Sequence, residues 1–165
     1  MYKRQALSNQ LPIDLIIKKA VRFNLSSKLI AETLEKQENY KKQRLIISAE
    51  LLKLIIEEAY SIKKKAAAVA ADLAEPLALV PLKNLLLKRN ELRLSSEAQY
   101  FLLDLLASFG SEAADLAELL KNIISKSSDP WLKYHALKAY TQIAVENENY
   151  QDFICLLYTS PSPRD

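Results

Sequence analysis

The sequence predicts an all-α fold of about eight helices, and three observations carry that prediction. Apolar residues recur at three- and four-residue spacing along nearly the whole chain, and no segment alternates with the two-residue period of a strand. Half of the 165 residues are apolar, and Gly110 is the only glycine. Hairpins, phosphate-cradling loops and nucleotide fingerprints need glycine where the backbone takes positive φ or approaches a ligand closely. Short polar or proline-bearing breaks separate the apolar stretches, each suited to stopping one helix and starting the next.

Pro12 stands near a first helical position, where its missing N–H is harmless, and Ile13, Ile16, Ile17, Ala20 and Val21 follow at helical spacing. Residues 24–27 break that helix, and a serine cap leads into Leu29, Ile30, Thr33 and Leu34, with Asn39 closing the pair. From Tyr40 to about Ala74 the pattern is long. It runs through Leu45, Ile46, Ala49, Leu52, Leu54, Ile55, Ile56, Ala59, Tyr60 and Ile62, then Lys63-Lys64-Lys65 and an alanine-rich stretch to Ala71. A break near Lys63 and one unbroken helix both fit. Alanine is the best helix former and adds little bulk, so this stretch permits close packing.

Glu75-Pro76 and Val80-Pro81 restart the chain, because proline is tolerated in a first turn and disrupts an interior. Leu82, Leu85, Leu86 and Arg89 carry that helix to Asn90. Ser95-Ser96-Glu97 opens the next, with Tyr100, Phe101, Leu103, Leu105, Leu106 and Phe109 as its apolar set and Gly110 as its stop. Ser111 and Glu112 are expected to cap a helix carrying Ala113, Leu116, Leu119, Leu120, Ile123 and Ile124, broken at 125–128. Asp129-Pro130 opens the last, with Leu132, Ala136, Leu137, Tyr140 and Ile143 inward.

Ser96 and Asp129 open helices at equivalent points 33 residues apart. Helix pairs recurring at roughly 34–47 residues mark an α-solenoid. Residues 116–144 resemble a HEAT repeat (armadillo-like), carried by Asp129, Pro130, Leu132, Lys133 and Ala136. Asp129 caps, Pro130 sets the first turn, Leu132 packs inward, Lys133 can reach a neighbouring loop or carboxylate, and the small Ala136 allows close helix contact. The stretch 95–110 matches more loosely, without the Asp-Pro pair. The resemblance implies a scaffold that binds protein or nucleic acid through stacked helices. Residues 129–153 also resemble the C-terminal helices of regulators of recombination and mitosis that partner a fidgetin-like ATPase, which implies a nuclear repair scaffold without catalytic residues of its own.

Both ends of the chain resemble translated sequencing-adapter DNA. The tail from Cys155, Cys-Leu-Leu-Tyr-Thr-Ser-Pro-Ser-Pro-Arg-Asp, is what a transposon mosaic end followed by adapter encodes, and Met-Tyr-Lys-Arg-Gln at the head matches the opposite strand of the same mosaic end. Residues 1–5 and 155–165 are therefore expected to be foreign, and 6–154 to be a helical-repeat fragment of a larger protein. The fragment then has 20 basic and 19 acidic side chains, so net charge makes no case for nucleic acid. It also loses the single cysteine, and with it any disulfide, thiol nucleophile or zinc–cysteine site. Terminal helices of a solenoid cut from its neighbours are expected to leave apolar faces open, so the chain should self-associate or fray.

Few side chains invite a chemical reading. His135 is the only histidine, without cysteine or an acid at ligand-like spacing, so packing or a hydrogen bond is expected rather than a metal or catalysis. Trp131 is expected to lie over the preceding helix pair; the alternative is an exposed interface anchor. Lys63-Lys64-Lys65, Lys41-Lys42-Arg44 and Lys83/Lys88/Arg89/Arg93 could track a phosphate backbone if they shared a face, but nearby glutamates and missing aromatic interleaving favour a solvated surface. The carboxylates Glu57/Glu58 and Asp115/Glu118 lack a cleft that would shift their acidity, so they are not expected to be acid–base pairs.

The expectation is a non-catalytic protein-interaction scaffold without cofactor, metal or small-molecule substrate, in the cytoplasm or nucleus. Trp131 and Lys133 are the candidate partner contacts. The alternatives are a nucleic-acid-binding helical repeat that uses the clustered lysines, and a helical bundle with a buried ligand pocket. No apolar run approaches the roughly 20 residues that span a bilayer.

Overall fold

A computed structural model describes residues 12–144. The adapter-like segments 1–5 and 155–165, the ends of the helical segment at 6–11 and 145–154, and the last part of the 129–153 resemblance lie outside these residues. The described chain holds eight α-helices and two 3₁₀ segments, with no strand among the described residues. It divides into two compact units after Leu73.

The first unit contains α1 (Ile13–Arg22), α2 (Ser27–Glu35), α3 (Tyr40–Glu57) and α4 (Tyr60–Leu73). Pro12 stands at the N-cap of α1, and Ser26 caps α2 by accepting the Leu29 N–H at 3.2 Å. The alanine-rich α4 packs against α2 and α3, with Ala66, Ala67, Val69 and Ala70 buried, so small side chains let these helices approach closely. Ser27 Oγ donates to Asp72 Oδ2 at 2.8 Å and ties the start of α2 to the end of α4.

Two expectations for this unit are corrected, and one open point is settled. The long apolar stretch is two helices, and the break falls at Glu58 and Ala59, before Lys63. Glu58 turns extended there, and Arg22 Nη2 donates to both of its carboxylate oxygens at 3.2 Å. Leu45, Ile46 and Ala49 lie outside the core; Ile47, Ser48 and Leu51 face it instead. The apolar run offers more than one helical face, and docking selects the one that includes Ile47.

The lysine triplet is not a solvated face either. Lys63 is 6% exposed, and its ammonium donates to the carbonyls of Ile55 at 3.0 Å and Ile56 at 2.7 Å. These are among the last carbonyls of α3, which have no partner within the helix. The Lys65 ammonium donates to the Phe23 carbonyl just beyond α1. Two lysines of the triplet thus cap helix C-termini, where a positive charge also opposes the helix dipole.

The second unit contains a 3₁₀ turn (Pro76–Ala78), α5 (Leu79–Leu87), α6 (Ser96–Ser108), a 3₁₀ segment (Gly110–Leu116), α7 (Ala117–Lys126) and α8 (Pro130–Ala144). Ser95, the first residue of the expected opening, caps α6 by accepting the Ala98 N–H at 3.2 Å. Gly110 takes φ +57° where α6 stops, a conformation that glycine adopts without strain. Ser111 and Glu112 do not cap an α-helix as expected. They lie inside the 3₁₀ segment, and α7 begins only at Ala117.

α8 packs against both α6 and α7. The core buries Leu102, Leu103, Leu105 and Leu106 of α6, Leu120, Ile123 and Ile124 of α7, and Ala136, Ala139, Tyr140 and Ile143 of α8. Among the described residues no helix is long and apolar enough to cross a membrane.

Candidate interaction site

Local chemistry fixes the start of α8. Ser127 Oγ accepts the Asp129 N–H at 3.1 Å and turns the chain into the helix. Asp129 Oδ1 then accepts the N–H groups of Trp131 at 3.0 Å and Leu132 at 3.3 Å, satisfying two of the donors that every helix N-terminus leaves unpaired. The second carboxylate oxygen, Oδ2, accepts the Tyr100 hydroxyl of α6 at 2.6 Å. Burial and the adjacent Asp129 carboxylate both disfavour the phenolate, so the Tyr100 phenol is pushed up to about 12.

One turn further along α6, Asp104 Oδ1 lies 2.7 Å from His135 Nδ1. The imidazole stacks on the Tyr100 ring, with centroids 4.9 Å apart and planes within 9°. Tyr100 and Asp104 therefore grip α8 at two points, Asp129 and His135. His135 is engaged in packing and a hydrogen bond, as its sequence context suggests. Among the described residues no group of three or more His, Cys, Asp or Glu side chains could hold a metal ion.

The ring contacts continue outward. Tyr134 meets His135 edge to face at 5.4 Å, and Trp131 meets Tyr134 edge to face at 6.3 Å. Such arrangements contribute about 0.5–1.5 kcal/mol beyond area burial. The chain of rings ends at the surface: Trp131 is 59% exposed and Tyr134 47% exposed. The expectation that Trp131 is covered by the preceding helix pair is thus corrected. Its backbone is held by the Asp129 cap and its ring meets Tyr134, while more than half of the residue is exposed.

Trp131, Tyr134 and Lys138 form one exposed stripe at i, i+3 and i+7. Lys133 is half-buried and lies ~200° around the helix from Trp131, so the two candidate contacts do not share a face. The Lys133 ammonium has no hydrogen bond or ion pair among the described residues. Tyr134 is not among the contacts expected from the sequence, although its three-residue spacing from Trp131 places both on one helix face. Tyr100 and Asp104 carried no such signal, because their roles depend on how α6 docks against α8.

Several of the remaining charged candidates have partners. Lys83 pairs with Asp115 at 2.7 Å, and Lys121 pairs with Glu118 at 3.3 Å. Arg89 donates to the Leu86 carbonyl at 3.2 Å, and burial pulls its guanidinium pKa down. Glu58 holds Arg22. Comparison of the chain with protein families, characterised proteins and solved structures returns no match to any of them.

Proposed function

We propose that this chain is a segment of a larger HEAT-like, armadillo-like α-solenoid that serves as a non-catalytic scaffold and binds a protein partner through the outward stripe of α8. The observation that carries the reading is the exposed Trp131–Tyr134 pair on a helix pinned from behind by Tyr100 and Asp104. Tryptophan and tyrosine are enriched among residues that dominate binding energy. A side chain already ordered before binding loses less entropy on association.

Two features support the repeat reading: Asp129 caps the helix, and Ala136 is fully buried on a helix packed against two others. The nucleic-acid alternative loses support, because Lys63, Lys65 and Lys83 are tied to carbonyl or carboxylate groups. The resemblance to regulators of recombination and mitosis makes a fidgetin-like ATPase the first partner to try, in the nucleus.

The test is a photo-crosslinking amino acid placed at 131, 134, 138 or, as a control, 64. Crosslinks to one protein from the first three positions and none from position 64 are expected. No crosslink from the stripe, or equal yields at all four positions, would remove the basis of the reading.

A further inference from the structure

A groove of about 410 Å³ lies beside the start of α8, between the ends of α5 and α7 and the first turn of α6. Its lining includes Arg89, Asn90, Asn122, Lys126, Ser127 and Ser128. Among the described residues Asp129 is its only acidic residue, and both oxygens of that carboxylate already have partners in Tyr100 and the amides of Trp131 and Leu132.

The cations of the groove are not matched in this way. Arg89 is half-buried, yet among the described residues its guanidinium has one hydrogen bond, to the Leu86 carbonyl, and no carboxylate. Desolvation lowers its pKa with no counter-charge to hold it up. A guanidinium has five N–H donors in a fork suited to oxyanions, so most of its donor capacity is unused. Among the described residues the Lys126 ammonium and the side chains of Asn90, Asn122 and Ser128 make no hydrogen bond. Ser127 Oγ accepts from the Asp129 N–H and keeps its own O–H to donate.

A groove whose described lining offers two cations and, in Asn90, Asn122, Ser127 and Ser128, four neutral side chains with donors to spare calls for an anion. A carboxylate brings one charge and two oxygens. A phosphate monoester brings a charge of about −1.5 to −2 and three acceptor oxygens, which matches two cations and a surplus of donors better. We propose that this groove is a phosphate-binding site that takes a phosphate monoester, with Arg89 and Lys126 as its cationic contacts and the Asn122, Ser127 and Ser128 side chains as neutral donors. The site is independent of the aromatic stripe of α8, so it can be present whether or not the stripe binds protein.

The experiment is a titration of the full chain, followed by ¹H–¹⁵N correlation spectra at constant ionic strength. The probes are inorganic phosphate, O-phosphoserine, and a phosphoserine peptide paired with its unphosphorylated form. Saturable shifts are expected at the Arg89 side-chain Nε–H and at the backbone amides of 126–129. Arg89→Gln should weaken binding at least about tenfold, in keeping with the loss of a charge-assisted hydrogen bond. Lys126→Gln, at an exposed position, should weaken it about threefold or more, and Lys64→Gln should leave it unchanged. A peptide that binds at least about tenfold tighter than O-phosphoserine would make a modified partner chain the source; equal affinities would make it a free phosphate ester. Either result supports the site. Shifts that never saturate, or saturable binding that both Arg89→Gln and Lys126→Gln leave intact, would overturn it.

Discussion

Replacing Tyr100 with phenylalanine tests whether α6 holds the start of α8. The substitution keeps the ring that stacks on His135 and deletes only the hydroxyl that donates to Asp129 Oδ2 at 2.6 Å. A hydrogen bond to a charged acceptor contributes about 1.5–3 kcal/mol. Asp129 keeps its two backbone donors, and the site is half-buried, so a loss of about 1–2 kcal/mol is expected at pH 7.

The pH dependence gives a second reading of the same contact. The phenol ionises near 10 when unfolded and near 12 when folded, because burial and Asp129 disfavour the phenolate. This contribution is full below pH 10 and disappears as pH rises through 12. The full linkage value of such a rise is about 2.7 kcal/mol; water that reaches this half-buried ring reduces it to about 1–2 kcal/mol. Urea denaturation of both proteins from pH 7 to 12 is the assay. The wild-type advantage should be constant to about pH 10 and then close. An advantage below about 0.5 kcal/mol at pH 7, or one that persists unchanged to pH 12, would refute the reasoning.

Three other substitutions probe the fold. Lys63→Met keeps the buried stem but leaves the Ile55 and Ile56 carbonyls without the ammonium; a loss of about 2–4 kcal/mol in urea denaturation is expected, and a variant as stable as wild type would contradict the cap. Ala136→Leu adds three carbons at a fully buried position of α8 and should cost about 1–3 kcal/mol through overpacking, read as a lower melting temperature. Ala74 ends α4 at φ +47°, which disfavours a residue with a Cβ, so Ala74→Gly should raise stability by about 0.5–1 kcal/mol in the same denaturation assay.

The helices were legible because their starts and stops are written locally. Ser26, Ser95, Asp129 and Gly110 act at or within one residue of the expected places. The break at Glu58 was not legible: no proline or glycine marks it, and the extended Glu58 is held by Arg22, 36 residues away. The inward turn of Lys63 has the same origin, since the carbonyls it caps are set by how α3 and α4 meet. At the candidate site, the Asp129 cap could be read from the sequence. The exposure of Trp131 could not, because a large aromatic beside an apolar helix pair is ordinarily covered. Tyr100, Asp104 and His135 meet across 31–35 residues of sequence, so only the docked helices reveal them.

Trp131 is the only tryptophan in the chain, so its fluorescence reports directly on the proposed interface. The decisive measurement is its emission and acrylamide quenching as a partner recovered by crosslinking is titrated in. A water-exposed indole is expected in the free chain. On saturation the emission should shift to the blue, quenching should fall, and Trp131→Ala with Tyr134→Ala should abolish binding. Saturable binding that leaves the emission and quenching of Trp131 unchanged would place the partner elsewhere and contradict the claim that the α8 stripe is the binding surface.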